Sequence, residues 1–532
     1  MNKTVKLAAL IYGVSILLSR VIGLIRESVI GRILGDQPEA DVYWVAFILP
    51  DFLNYLLAGG ALSLVLIPLL QTAMEKGGAE AHWLCFWRIA TPLSCFILMA
   101  TGLLWFFTPE LSLFISPGFD HDQIILLTEL TRIILPAQIF HVCGGLVSAT
   151  LQAKDRHLAP ALSPLIYTGC IILGGLFLGP TLGAKGFAWG VLIGSLLGPF
   201  LCPLVAAFAI GLRPQIIWTP RHPEFLSYLW RALPVMLGFS IVVLDDMLVK
   251  RGASSMGDGV VSQLHYARTL MKVPMGVFGL AMGMATFPSI SRLVAQNKQI
   301  EALGLLRSAS EVLLVLVAFS QVMLTLLGVE ATTLIWGRER LSTESIYSIG
   351  FYCSVLSLGL WGWSLQGLFS RGFYAKGQTW LPTLVGSILV VLFYPLYVFM
   401  GNEKGLRIGE LAQGWWGIDL PGIGLALTSS IAISVYVLVL WYLLCRSYNT
   451  PKSHTFFPFI ISLIKVEIAA YAALWIVFSF GLKSTTSIWS LLYIGGCKAI
   501  LGIGCFVTFL WILRVSALHI LVNRIRQKLI KH

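Results

Sequence analysis

Charge is scarce in this chain. Only 12% of its 532 residues are Asp, Glu, Lys or Arg, while 57% are hydrophobic. A soluble domain carries about 25% charged residues, so the composition excludes an ordinary soluble fold. The nine cysteines form no CxxC pair and fall mostly in apolar stretches. They read as small buried hydrophobes rather than disulfides or metal ligands. There is no GxxxxGK[ST] phosphate loop, which argues against direct drive by ATP. No His/Cys/Asp spacing suits a metal, and no cofactor is expected. No loop has room for a catalytic domain. A membrane enzyme such as a lipid-linked glycosyl- or acyltransferase would need convergent acid/base groups near the interface, and none stand out.

Apolar sequence fills the chain instead. About fourteen stretches reach the ~20 residues needed to cross a bilayer, beginning near Leu7, Ala40, Trp83, Gln123, Leu158, Gly186, Glu224, Gly259, Ala302, Thr343, Trp380, Gly422, Phe457 and Ile488. The expected fold is an all-α polytopic membrane protein. Lysines and arginines favour an inside N-terminus: Lys76, Lys154, Arg156, Arg213 and Lys376 would be cytoplasmic, against Lys185, Lys404 and Arg407 outside. An even span number then places the C-terminus inside too. The basic start is followed by an apolar run that Arg20 and Arg26 interrupt, with no small-residue cleavage site, so an uncleaved first span is expected. The net charge of +12 follows from this topology and needs no nucleic acid. The tail with Arg524, Arg526 and Lys528 suits anionic lipid headgroups.

An internal echo divides the chain. Ala153-Lys154 with Ala159-Pro160-Ala161-Leu162 recurs as Ala375-Lys376 with Leu381-Pro382-Thr383-Leu384, and Gly186-Phe187-Ala188 recurs as Gly424-Leu425-Ala426. The expected organisation is a six-helix lobe at 1–215, a second at 216–450, two extra spans at 451–515 and a basic cytoplasmic tail at 516–532. Copies with an even span number run in the same orientation, and such transporters bind substrate centrally and work by rocking. The Gly- and Trp-rich outer stretch at 402–420 is expected in the interface.

The charges inside the spans are the functional signal. A charge at the bilayer centre costs ~2.5–3.5 kcal/mol on insertion scales, so it usually faces a cavity or a partner. The first span carries Ser19-Arg20-Val21-Ile22-Gly23-Leu24-Ile25-Arg26-Glu27. Ser19, Gly23 and Arg26 share one helical stripe: a hydroxyl, a gap and a guanidinium. Arginine offers phosphate a planar fork. The alternative is a buried ion pair without a ligand. Arg268 and Lys272 stand one turn apart in the eighth span, near Pro274. With Arg26 they would make an inter-lobe cavity cationic, held in place by Glu27, Asp41 and Asp245. Simple pairing with nearby acids is the competing reading for Arg268, Lys272, Arg132 and Asp245-Asp246. Asp41 also suits a helix cap. Lys465, Glu467 and Lys498 in the last spans are expected to snorkel, and His141 and His265 to be satisfied core or interface residues.

These residues carry a resemblance. The first-span motif resembles the SRxxGxxRD/E signature of the MviN/MurJ family of lipid II flippases, in the exporter superfamily of two six-helix lobes. Asp41 with Ala46-Phe47-Ile48-Leu49-Pro50 resembles that family's second-helix DAFxxAFxLPN segment. Tyr266-Ala267-Arg268, Pro274-Met275-Gly276-Val277-Phe278-Gly279-Leu280-Ala281 and Phe287-Pro288 resemble its eighth-helix segment, and Arg371-Gly372-Phe373-Tyr374-Ala375 its tenth. The resemblance implies a cavity for a pyrophosphate-sugar headgroup, a lipid-tail groove made by the two extra helices, and functional positions at Ser19, Arg20, Arg26 and Asp41, with Glu27 replacing an aspartate. Departures touch the grip on the headgroup. Asn54-Tyr55 and Ala58-Gly59-Gly60 stand where the family has Arg-Arg and Ala-Glu-Gly. Arg268 stands at its Asp position, Thr269 at its Arg position and Lys272 at an acid position. A one-residue shift turns a side chain by about 100°.

The expected function is therefore a monomeric flippase for lipid II, with the substrate-binding set Ser19, Arg20, Arg26, Glu27, Asp41, Arg268 and Lys272. Another polyprenyl-pyrophosphate glycan is the nearest alternative. An ion-coupled antiporter of small organic cations would require an acidic cavity, for which Asp41 and Asp245 are the only support. The sequence names no coupling ion.

Overall fold

The computed structural model describes residues 3–57, 65–337, 340–416, 418–448, 452–482, 488–515 and 517–518. Among these residues the chain is helical throughout, as low charge and long apolar runs demand: in lipid every backbone N–H must find its partner within the segment. The basic tail and Ala58-Gly59-Gly60 lie outside the described residues. The chain divides into two compact units. Unit 1 comprises residues 1–262 with 335–341, and unit 2 residues 263–334 with 342–532.

Unit 1 contains α1 (Lys3–Ile33), α2 (Pro38–Val45), α3 (Ile48–Leu57), α4 (Ile67–Phe106), α5 (Thr108–Ile115), α6 (His121–Ile134), α7 (Ala137–Ala153), α8 (Leu158–Leu182), α9 (Ala184–Ser195), α10 (Cys202–Phe208) and α11 (Pro223–Ala253). The helix α12 (Val260–Pro274) begins in unit 1. Unit 2 continues with α13 (Leu280–Ala295), α14 (Gln299–Trp336), α15 (Thr343–Ser357), α16 (Leu360–Ala375), α17 (Trp380–Met400), α18 (Glu403–Trp416), α19 (Ile423–Ser447), α20 (Lys452–Ser479) and α21 (Ile488–Ile512). Ten helical stretches are long and apolar enough to span, and α15 with α16, bent by 43°, forms one more. The remaining expected spans are also helical: α1, α2 with α3, and α11. The outer stretch at 402–420 contains α18.

Local chemistry sets the breaks. The second and third spans are joined through α4, which is interrupted at Gly77 and Gly78. Gly78 has φ 66° and ψ −155°, a region essentially reserved for glycine. Pro274 closes α12, and a π-helical turn at Met275–Gly279 joins it to α13. Such bulges relieve a disrupted hydrogen-bond ladder and bend the helix. Helices α8 and α9 meet through glycine faces. A Cβ on Gly174 would fall 2.7 Å from Gly186 O, and one on Gly190 2.8 Å from Cys170 O, the close approach small residues allow in membranes.

Both copies of the echo occupy the same local setting. Ala153 ends α7 and Ala375 ends α16, and the next helix starts a few residues on. Lys154 Nζ lies 4.2 Å from the Trp83 ring centroid, and Lys376 Nζ 4.6 Å from that of Tyr448. Burial pushes both ammonium groups below their ordinary range, and the cation–π contact offsets part of that cost.

Unit 2 corrects one expectation. Lys498 and Glu467 do not snorkel. Lys498 Nζ sits 2.6 Å from Glu330 Oε1 on α14, with side chains 14% and 5% exposed, and Glu467 accepts from Gln321 Nε2 at 3.2 Å. Both side chains turn toward α14 because an internal polar partner is closer than water. Breaking one partner of a buried pair strands the other charge. Glu330→Ala is therefore expected to destabilise by ~3–5 kcal/mol, and the double variant Glu330→Met/Lys498→Met to recover most of that loss, read by thermal unfolding in detergent.

Candidate substrate site

Within unit 1 the first-span stripe is open. Ser19 and Arg26 are half-buried, and a Cβ built on Gly23 would meet nothing within 4 Å. Arg20 is exposed, off the Ser19–Arg26 stripe. Arg26 Nη2 donates to Glu27 Oε1, with the Arg26 side chain 29% exposed and the Glu27 side chain 6%. The guanidinium is thus balanced by its own neighbour in sequence. Its Nε–H is buried and has no hydrogen-bond partner, while the side chain as a whole keeps 29% exposure.

Aromatic hydroxyls surround this pair. Tyr43 on α2 and Tyr167 on α8 lie within electrostatic range of Arg26. Tyr167 is likewise coupled to Asp51 on α3, and Tyr55 to Asp51 and to Asp246 on α11. Asp246 pairs with Lys250 at 2.9 Å, and Lys250 also donates to Trp44 O at 3.0 Å. On the other side of Tyr167, its ring packs edge-on against His141 at 5.1 Å, and His141 Nε2 is 3.0 Å from Ser195 Oγ. Five helices therefore supply a continuous polar strip from α11 to α8. Tyr43 and Tyr167 were not singled out from the sequence, and Tyr55 was noted only as a departure from the family's arginine pair. Tyrosine is an ordinary core residue in a membrane helix, and no spacing marks these three as neighbours.

Asp41 is held by the start of a distant helix. It is 1% exposed and accepts from Gly259 N and Ser262 N, each at 2.7 Å, and from Ser262 Oγ at 2.5 Å. Its carboxylate thus caps the start of α12 from a distant helix. The orphan N–H groups and positive dipole end of a helix favour such an anion.

In unit 2, Arg268 is buried at 4% exposure. Its Nη2 donates to Ser429 Oγ on α19 at 3.1 Å, and its guanidinium lies 5.8 Å from the Trp363 ring on α16. Lys272 is exposed. Thr269, at the family's arginine position, is half-buried beside His265. Arg132 does not pair with an acid as one reading supposed. It donates to Trp105 O at 3.3 Å and lies over that ring at 4.7 Å.

Comparison with known proteins decides the family. A sequence profile described as "Lipid II flippase MurJ" matches residues 30–494. The chain belongs to the MurJ family. A Burkholderia cenocepacia protein named lipid II flippase MurJ is 28% identical over 393 residues, covering 72% of this chain and 76% of that protein. A probable lipid II flippase MurJ of Rhizobium meliloti is 26% identical over 467 residues, covering 82% and 87%. A solved lipid II flippase MurJ in an inward closed conformation superposes with a TM-score of 0.73 at 22% identity, over 94% of this chain and 98% of that one. An inward-facing MATE-family multidrug transporter shares the fold with a TM-score of 0.65 at 14% identity, over 80% and 95%. As a MurJ-family member the chain is an integral membrane transporter rather than an enzyme.

The cap assignment of Asp41 is testable. Asp41→Ala leaves three donors facing an apolar gap and is expected to cost ~1–3 kcal/mol for each buried donor left unsatisfied, lowering the thermal unfolding midpoint. Transport loss with an unchanged midpoint would instead place the carboxylate with the substrate.

Proposed function

We propose that this chain moves lipid II, the undecaprenyl-pyrophosphate-linked peptidoglycan precursor, from the inner to the outer leaflet by alternating access. The names of its relatives support the substrate. The observation that carries the site is Arg26, whose side chain keeps 29% exposure on the stripe that is open at Gly23. A pyrophosphate oxygen accepts from the exposed part of the guanidinium, Ser19 adds a hydroxyl on the same stripe, and Glu27 holds the guanidinium in place. Charge-assisted bonds of this kind are about twice as strong as neutral ones. Tyr43 and Tyr167 offer hydroxyls beside the phosphate subsite. Arg268 and Lys272 supply further positive charge for the headgroup. The termini are cytoplasmic in this reading, and an inside-negative potential favours outward movement of the bound anion by ~2.3 kcal/mol per charge per 100 mV.

The test is made in bacteria depleted of their own lipid II flippase. Lipid II reaching the outer leaflet is measured by its cleavage with an externally added lipid II-cleaving toxin. Expression of this chain is expected to restore cleavage. Losing a hydrogen bond to a charged group costs ~1.5–3 kcal/mol, so Arg26→Ala is expected to lower it by about 10- to 100-fold. Arg26→Lys is expected to recover only part, because lysine keeps the charge but lacks the fork. Full transport by Arg26→Ala would overturn the role of Arg26. No restoration despite good membrane expression would move the substrate to another polyprenyl-pyrophosphate glycan.

A further inference from the structure

Three acids in the spans of unit 2 are held in different ways. Glu311 on α14 is buried and has Arg307 Nε at 2.8 Å. Glu330, farther along α14, is buried and has Lys498. Glu467 on α20 is half-buried, with its Oε1 buried, and has no cation among the described residues. Its one described hydrogen bond comes from the neutral amide of Gln321, Nε2 to Oε2 at 3.2 Å. Two oxygens at this junction are left over. Glu467 Oε1 and Gln321 Oε1 are both buried with no donor, although Gln321 is 0% exposed. The surroundings are apolar: Ala318 and Val322 on α14 and Val466 and Ala470 on α20 belong to one packed cluster. The other titratable group facing the pair is Tyr471, one turn along α20, whose hydroxyl also interacts with the Gln321 side chain and which is about half exposed.

An ionised carboxylate is an acceptor only, whereas a protonated one gains an O–H donor. An unpaired charge in apolar surroundings takes up a proton rather than stay ionised. One proton resolves both leftover oxygens. Placed on Glu467 Oε1, it donates to Gln321 Oε1 while Gln321 Nε2–H donates to Glu467 Oε2. The result is a closed acid–amide ring with every polar atom used.

We propose that Glu467 is a proton carrier, its carboxylic acid closing a cyclic pair with Gln321 that makes the α14–α20 junction a proton-binding site within the membrane. The proton comes from water and returns to it, with no other bond made or broken. Its departure leaves an anion against the Gln321 carbonyl in an apolar wall, so α20 loosens from α14 when the proton leaves. Glu330, by contrast, has the Lys498 ammonium as its partner. The inference stands apart from the identity of the transported lipid.

Infrared spectroscopy of the full chain in lipid nanodiscs reads the proton directly. At neutral pH the wild type is expected to show the C=O stretch of a neutral, hydrogen-bonded carboxylic acid that shifts on deuteration. Glu467→Gln is expected to abolish this band while keeping the fold, since two amides can close the same ring. Gln321→Leu is expected to move the band to higher frequency as the ring opens, which serves as the second reading if Glu467→Gln fails to fold. Absence of the band at neutral pH, or a band untouched by both substitutions, would overturn the proposal.

Discussion

A group that carries charge or an unpaired hydrogen-bonding atom inside a bilayer has no water to fall back on, and the polar chemistry of this molecule follows from that constraint. Several such groups are met by another part of the protein. The start of α12 is met by Asp41, Lys498 by Glu330, Lys250 by Asp246 and the Trp44 carbonyl. Buried ion pairs are costly to assemble and give little net stability against apolar replacements. Their consequence here is geometric. Each pins one helix to a defined neighbour: α2 to the start of α12, α11 to α2, α21 to α14.

Against that background Arg26 is distinctive because its needs are only partly met. Glu27 neutralises it from the adjacent position, yet the Nε–H has no acceptor, and the helix face beside it is open at Gly23. An arginine so placed is pre-ordered by its acid. The tyrosines around it add hydroxyls without adding charge, which suits a headgroup that is part phosphate and part sugar. The positions where the family has a pair of arginines carry Asn54 and Tyr55 instead. Tyr55 is coupled to Asp51 and Asp246, so the strip beside Arg26 contains more acid than the motif comparison suggested.

The legibility of the site from sequence varied by residue for physical reasons. The Ser19–Gly23–Arg26 stripe was readable because helical periodicity alone puts the three on one face. The Asp41 cap was not, because its partners Gly259 and Ser262 are remote in the chain and no local pattern marks a helix capped by another helix. The same holds for Glu467 and Lys498. Their partners Gln321 and Glu330 sit on α14, and pairing across helices has no signature in either segment. Arg268 was readable as a buried charge. Its direction, toward Ser429 and Trp363, was not.

The sequence by itself determined the class of molecule: an all-helical membrane transporter with its charges confined to a few spans and an arginine stripe on the first. Hydropathy and the 3.6-residue period are local properties, and a bilayer leaves the backbone no other solution. Tertiary structure decided which acid answers which base, which helix end an aspartate caps, and which carboxylate is left without a cation. Those outcomes depend on distances between segments far apart in the chain, which packing sets and local sequence does not encode.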